Sequence, residues 1–242
     1  MWKCYITILI SEPIGDGHVT LFFLGHMCWG YVFGKATSHL TSRKIQVPLV
    51  LMCGALPDID LLLNIEHGGI MHSIVFWFVA FIPILIWIGP RRSLPYLISV
   101  LQHPLFGDFI TANYKILLPF SYSGYGIGLD MLSPISLSLE VLGFLAFVTC
   151  AYFTKDLMSL FSMNSTDLLS LLPAAAMLVS IVFVLGRRGW GYVSPDFEAT
   201  QALFLLLLLY SFFTEVFGIT SEIHYEYKHL GLQHREVSLA DE

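Results

Sequence analysis

The chain carries 242 residues, a net charge of −6, and 12% charged side chains against 56% hydrophobic ones. An ordinary soluble domain is about a quarter charged. This composition, with a mean hydropathy of +0.72, points instead to a polytopic membrane protein. The acidic balance comes without a basic patch interleaved with aromatics, which argues against a nucleic-acid partner. Cys4, Cys28, Cys53 and Cys150 form no C-x-x-C pair and read as small core residues.

Near the N-terminus, Lys3 and a short apolar run are interrupted by Glu12 and Pro13, with no small-residue cleavage site, so a signal peptide is not expected. The first helix is expected over His18 to Gly34, with His26 in its middle, and the polar stretch from Lys35 to Lys44 reads as a loop. The next apolar run, Val47 to Leu56, is short. Pro57 disfavours helical geometry at Leu56, so a helix should end there and deliver Asp58 and Asp60 just past its end. His67-Gly68-Gly69 reads as a turn, and Ser73 to Gly89 as a long apolar helix closed by Pro90-Arg91-Arg92.

A return segment runs from Leu94 to about Ala112. It carries Gln102, His103 and Asp108, unusual cargo for a membrane helix, and closes at Leu117-Leu118-Pro119-Phe120. Residues 121–133 are rich in Gly, Ser and Tyr and read as a loop. Three further spans are expected, over 134–153, 167–186 and 199–220, with Glu140 and Glu215 their main ionisable residues. Between the last two, the aromatics and paired arginines from Arg187 to Asp196 suit an interface. The tail from Ser221 to Glu242 is polar.

The expectation is therefore an all-α, polytopic membrane helix bundle of about six spans, multi-pass in the cell membrane and surrounded by lipid. Residues 1–133 would form a metal-site helical core, and residues 134–242 additional transmembrane helices with a polar C-terminal tail. The basic residues divide eight against four under alternation of spans, which favours a cytoplasmic C-terminus and puts the polar cluster toward the other face.

Seven groups stand out in this greasy chain: His26, Asp58, Asp60, His67, His72, His103 and Asp108. Carboxylate oxygen with imidazole nitrogen suits zinc or a similar first-row ion. The set exceeds one closed site. It would serve one metal with a supporting shell, or two metals bridging a phosphate. Asp58 or Asp60, if not ligated, would serve as general base. Blander readings stand beside these: His26 as a satisfied core residue, Asp58 as a helix cap, and the whole set as a hydrogen-bonded interior. Spacings of five from His67 to His72, and from His103 to Asp108, do not share an α-helical face. The first pair converges only if the turn ends near Ile70. No G-x-S-x-G elbow, P-loop or G-x-G-x-x-G is present.

The order His26-x-x-x-Gly30, Leu56-Pro57-Asp58-Ile59-Asp60, His67-Gly68-Gly69-Ile70-Met71-His72-Ser73, His103 to Asp108-Phe109-Ile110-Thr111, then Leu118-Pro119-Phe120-Ser121 resembles the YdjM-like family of membrane-bound metal-dependent hydrolases. That family is in turn similar to the zinc-dependent phospholipase C and single-strand nuclease group. The resemblance covers roughly residues 25–121. It departs at Gly25, where the family has Thr, at Gly68, where it has Arg, and at Met71, where it has Thr; the His103-to-Asp108 spacing is one longer. It implies metal-dependent hydrolysis of an ester, most readily a phosphoester; a site close to the membrane surface suggests a lipid or lipid-linked substrate, and the donor set suggests zinc, or manganese, as cofactor. The contrasting expectation is a non-catalytic transporter or assembly factor whose His/Asp set is an ion path or a structural metal site.

Overall fold

The computed structural model describes residues 23–63, 65–130, 133–160, 171–186 and 202–218, together with 224, 225 and 228. The N-terminal run, the connection from Arg187 to Asp196 and most of the polar tail lie outside these residues. The described chain is helical, and its one β-bridge pairs Tyr114 with Tyr125.

Helix α1 covers Phe23–Thr41, seven residues beyond the expected end at Gly34. Side-chain hydroxyls extend it through the polar stretch: Thr37 donates to the Phe33 carbonyl at 2.9 Å, and Thr41 to that of Thr37 at 3.0 Å. Lys35 pairs with Asp156, and the Tyr31 hydroxyl donates to the same carboxylate at 2.7 Å, so this end is tied to the far half of the chain. Helix α2, Val47–Ala55, starts with Pro48 in its first turn, where the missing N–H costs nothing. It tightens into a 3₁₀ turn over Leu56–Ile59, and a single turn, α3, follows over Asp60–Leu63.

Helix α4, Ile74–Ile88, is capped by Ser73, whose hydroxyl accepts from the Phe76 N–H at 3.3 Å. Helix α5 is Pro90–Gln102. It begins at the proline expected to close the previous helix, and so takes Arg91 and Arg92 into its first turn. A π-helical turn over His103–Gly107 leads into a further single turn, α6, Asp108–Thr111. Helix α7 is Pro134–Phe153 and α8 is Asp156–Leu160. Two more helices, α9 over Leu171–Gly186 and α10 over Ala202–Gly218, complete the described chain.

Helices α1, α2 and α5 pack on one another most closely, and small residues make that possible. A Cβ placed on Gly30 would lie 2.5 Å from the Gly54 Cα and 2.7 Å from the Ser99 hydroxyl, so only glycine lets these backbones meet. Ser99 donates to the Val50 carbonyl at 2.7 Å across the same contact. Outside this centre, α7 to α10 join α1 and α2 in one apolar core that includes Tyr31, Leu51, Phe147, Met177, Phe204 and Leu208. This core takes residues from both sides of residue 133.

Among the described residues, one helix, Pro134–Phe153, is long and apolar enough to cross a membrane. Ile74–Ile88, with 15 residues, reaches only about 22 Å at 1.5 Å per residue, short of a hydrocarbon core of about 30 Å. The apolar helices Val47–Ile59, Leu172–Val182 and Ala202–Gly218 are also below the length of a full span. Six full spans are not what the described helices provide.

The α1–α2 crossing should not tolerate a branched side chain. Gly30→Val is expected to lower the thermal unfolding midpoint in detergent, by the equivalent of about 1–3 kcal/mol for overpacking; an unchanged midpoint would contradict the close approach.

Candidate metal centre

The seven side chains singled out in the sequence converge at one end of the α1–α2–α5 contact. His26 comes from α1, and Asp58 from the 3₁₀ turn after α2. Asp60 opens α3, His67 lies in the following turn, and His72 closes a second 3₁₀ turn. His103 and Asp108 lie at either end of the π-helical turn. All are buried except His67, whose side chain is 25% exposed.

The two awkward spacings have local explanations. In the π turn the Asp108 N–H bonds to the His103 carbonyl, an i to i+5 link, so residues five apart stack on one face. Nε2 of His103 then stands 3.2 Å from Oδ2 of Asp108. At the other pair, Gly68 takes a φ of +74°, the left-handed turn glycine favours. The turn ends at Gly69, and Ile70–His72 winds back so that the His67 and His72 rings meet edge to face at 4.8 Å.

Four candidate ligand atoms lie close together. His72 Nε2 and His103 Nε2 each lie 3.6 Å from Asp58 Oδ1, and 3.3 and 3.2 Å respectively from Asp108 Oδ2. Ligand atoms of a tetrahedral zinc, about 2.0–2.2 Å from the ion, stand about 3.3–3.6 Å apart. The Nε2 atoms of His72 and His103, and both oxygens of Asp108, are buried without a hydrogen bond of proper geometry. Interior polar atoms are rarely left so, and a cation at their centre would satisfy them together. These groups fit a metal ion, and three overlapping ligand sets are present: His26, Asp58 and His103; Asp58, His67 and His72; and His72, His103 and Asp108.

The remaining contacts orient these ligands. His103 Nδ1 donates to the Gly54 carbonyl at 2.8 Å, which turns Nε2 toward the carboxylates. Gly54 is itself pressed against the His26 carbonyl, so the helix crossing and the ligand share an anchor. Asp60 belongs to none of the three ligand sets. Its Oδ1 accepts from His67 Nδ1 at 3.0 Å, and its Oδ2 faces His72 Nδ1 at 3.3 Å, so it stands behind two imidazoles and aims both Nε2 atoms inward. His26 stacks on His103 with ring centroids 3.5 Å apart and faces Oδ1 of Asp108 at 3.4 Å, the side opposite the four-atom centre. Asp108 thus presents one oxygen to each of two neighbouring positions.

Burial works against the charged form of Asp60, but its bonds to His67 and His72 outweigh this and hold its carboxyl below the usual range. Burial likewise opposes charge on His72. The nearby Asp108, Asp58 and Asp60 prevail and raise it to about 9, so in the metal-free centre it carries a proton that a cation would displace.

Three further residues support the candidate ligands. Gln102 donates to the His26 carbonyl at 2.9 Å and fixes α5 to α1. Tyr114 lays its ring edge-on against His67 at 5.5 Å and His72 at 4.8 Å. Lys115 bonds Glu66, the neighbour of His67, at 2.9 Å. Only Gln102 was conspicuous, as a polar residue in an apolar run.

Comparison with protein-family models, curated proteins and solved structures finds no match to this chain.

The geometry ranks the ligands. Elemental analysis of the purified protein should find bound divalent metal, lost in the Asp58→Ala/His72→Ala double variant. Asp60→Ala should retain the ligand atoms yet bind metal about 10–100-fold more weakly, as loss of an orienting carboxylate does. Full metal occupancy in the double variant would exclude the four-atom centre.

Proposed function

We propose that this chain is a membrane-embedded, metal-dependent hydrolase of the YdjM-like kind, acting on a phosphoester of a lipid or lipid-linked substrate. The observation that carries the proposal is the buried convergence of imidazoles on carboxylates: Nε2 of His72 and of His103 each stand 3.6 Å from Asp58 Oδ1, and 3.3 and 3.2 Å from Asp108 Oδ2, the separation of neighbouring ligand atoms around one ion. Zinc suits this donor set best, and manganese also accepts mixed imidazole and carboxylate ligands. The extra residue between His103 and Asp108, relative to that family, is absorbed by the π turn, so this departure leaves the pairing intact.

A bound divalent ion supplies Lewis acidity and makes water a competent nucleophile near neutral pH. The chain's residues do the rest. Asp58 and Asp108 each offer a second carboxylate oxygen beyond the one at the centre, and His26 and His67 flank the centre on two sides. Asp60 holds His67 and His72 in position. Asp58, on the border of two ligand sets, is placed to bridge or to accept a proton.

The membrane setting rests on outward-facing apolar stripes. On α10, Leu203, Leu206, Tyr210, Phe213 and Phe217 recur at helical spacing and are at least half exposed. On α4, Phe78, Ile82 and Ile86 also recur at helical spacing and are exposed. Apolar surface of this extent suits lipid. The bundle of about six spans, multi-pass in the cell membrane, belongs to the same reading, with short helices adjoining the polar centre.

A non-catalytic metal site is the second reading. It is favoured by the supply of protein groups, with three overlapping sets of candidate ligands on hand to close a coordination sphere, whereas a catalytic zinc keeps one position open.

Two measurements test the proposal. The metal-loaded protein should hydrolyse bis(4-nitrophenyl) phosphate, losing activity with a chelator and at least about 100-fold in the Asp58→Ala variant, as expected for loss of a ligand. Tight metal binding that raises the unfolding temperature, with no hydrolysis of this ester or of phospholipid, would favour the structural site. Alkaline carbonate should leave the chain in the membrane fraction, and detergent should extract it; release by carbonate would overturn the embedded reading.

A further inference from the structure

Six of the seven side chains are buried, and His67 is the partly exposed member, so the approach to the centre runs past its ring. Facing it is the segment from Ala112 to Leu118, which is firmly held. The Tyr114 and Tyr125 backbones exchange hydrogen bonds at 3.2 and 2.9 Å. The Ile74 N–H donates to the Ile116 carbonyl at 2.9 Å, and the Ser73 hydroxyl to that of Leu118 at 2.5 Å. This segment sets Tyr114 against both His67 and His72. The phenol ring also fills the space over Gly68, where any Cβ would collide with it. The wall of the entrance is therefore aromatic, and no side chain reaches in from position 68.

The next residue is Lys115. Its ammonium bonds Glu66, beside His67, so a Lys–Glu pair spans the outside of this entrance. Lys115 is the one basic residue between Arg92 and Lys155 in the sequence, and none lies between Lys44 and Arg91. Arg91 and Arg92 begin the helix whose far end is Gln102, about 15 Å of helix away. Three carboxylates line the interior, and an anion approaching them needs positive charge at the entrance as well as inside. Both partners of the Lys115–Glu66 pair are well exposed, at 38% and 72%, so the bond between them is weakly held and readily exchanged.

We propose that Lys115 is the anion-binding residue of this site: it leaves Glu66 to pair with a non-bridging oxygen of a phosphoryl group positioned past His67, with Tyr114 as the wall beside it. This rests on the phosphoester hydrolase reading and specifies the charged part of the substrate. The phosphoryl group is the shared chemistry, whether it belongs to a lipid headgroup or to free phosphate. Glu66 acts as the competitor that keeps the lysine placed at the entrance when no anion is bound.

The test uses the full chain in detergent, loaded with zinc, its metal content measured for wild type, Lys115→Gln, Lys115→Arg and Glu66→Gln. Each is titrated calorimetrically with inorganic phosphate and, separately, with dihexanoyl phosphatidic acid. Lys115→Gln should keep its metal and bind about tenfold more weakly, the scale of one charge-assisted hydrogen bond. Lys115→Arg should restore most of the affinity, and Glu66→Gln should bind more tightly than wild type. Weakening for the lipid alone assigns the headgroup as the source, and weakening for both assigns the phosphoryl group itself; either supports the proposal. Zinc-loaded wild type that binds neither ligand, or Lys115→Gln that binds both as wild type does, would overturn it. Turnover of bis(4-nitrophenyl) phosphate separates the two ideas. Lys115-dependent binding without turnover removes the hydrolase reading and leaves the anion site. Turnover with unchanged KM and affinity in Lys115→Gln removes the anion site and leaves the hydrolase.

Discussion

The structure turns on the Asp108 carboxylate, buried to 1% exposure and bracketed by the imidazoles of His26, His72 and His103. A carboxylate in an apolar interior is costly unless paired and hydrogen-bonded. Here the pairing is incomplete: its contacts stand at 3.2–3.4 Å without good hydrogen-bond geometry. Two more buried carboxylates, Asp58 and Asp60, join it. A divalent cation is the simplest partner that would balance this charge and satisfy atoms from four separate segments at once, and metal binding of this kind couples directly to folding.

Everything around the centre serves to hold those segments in register. The glycine contact between α1 and α2 brings two backbones close enough for Gln102 and His103 of the third strand of chain to bond to carbonyls of both. The π turn then rotates Asp108 onto the face already occupied by His103. Asp60 does the equivalent on the other side for His67 and His72. Small residues and local irregularity thus appear where ligands must be aimed, while the regular, Leu- and Phe-rich helices α7 to α10 lie outside and supply apolar bulk. The same outer helices leave apolar stripes uncovered.

Much of this was legible in the residues themselves. Ionisable side chains are rare enough in an apolar chain that His26, Asp58, Asp60, His67, His72, His103 and Asp108 marked themselves by composition alone. Pro57 announced the end of α2, and Gly68-Gly69 announced the turn that lets His67 and His72 meet. The helix ends were less legible: α1 runs on through Thr37 and Thr41 because their hydroxyls bond back to its carbonyls, a local rescue that a polar composition conceals.

The sequence by itself determined the helical class, the inventory of candidate ligands and the chain positions where helices break, because these depend on residue type and near neighbours. Tertiary structure decided how the candidate ligands are grouped: that His72 and His103 both face Asp58 and Asp108, that Asp60 stands behind two imidazoles, and that Tyr114 lies against His67 and His72. It also decided that His103 and Asp108, five residues apart and on different faces of an α-helix, share one face through a π turn. Those outcomes depend on distances between segments far apart in the chain, and on a backbone hydrogen-bond pattern that no spacing of residues specifies on its own.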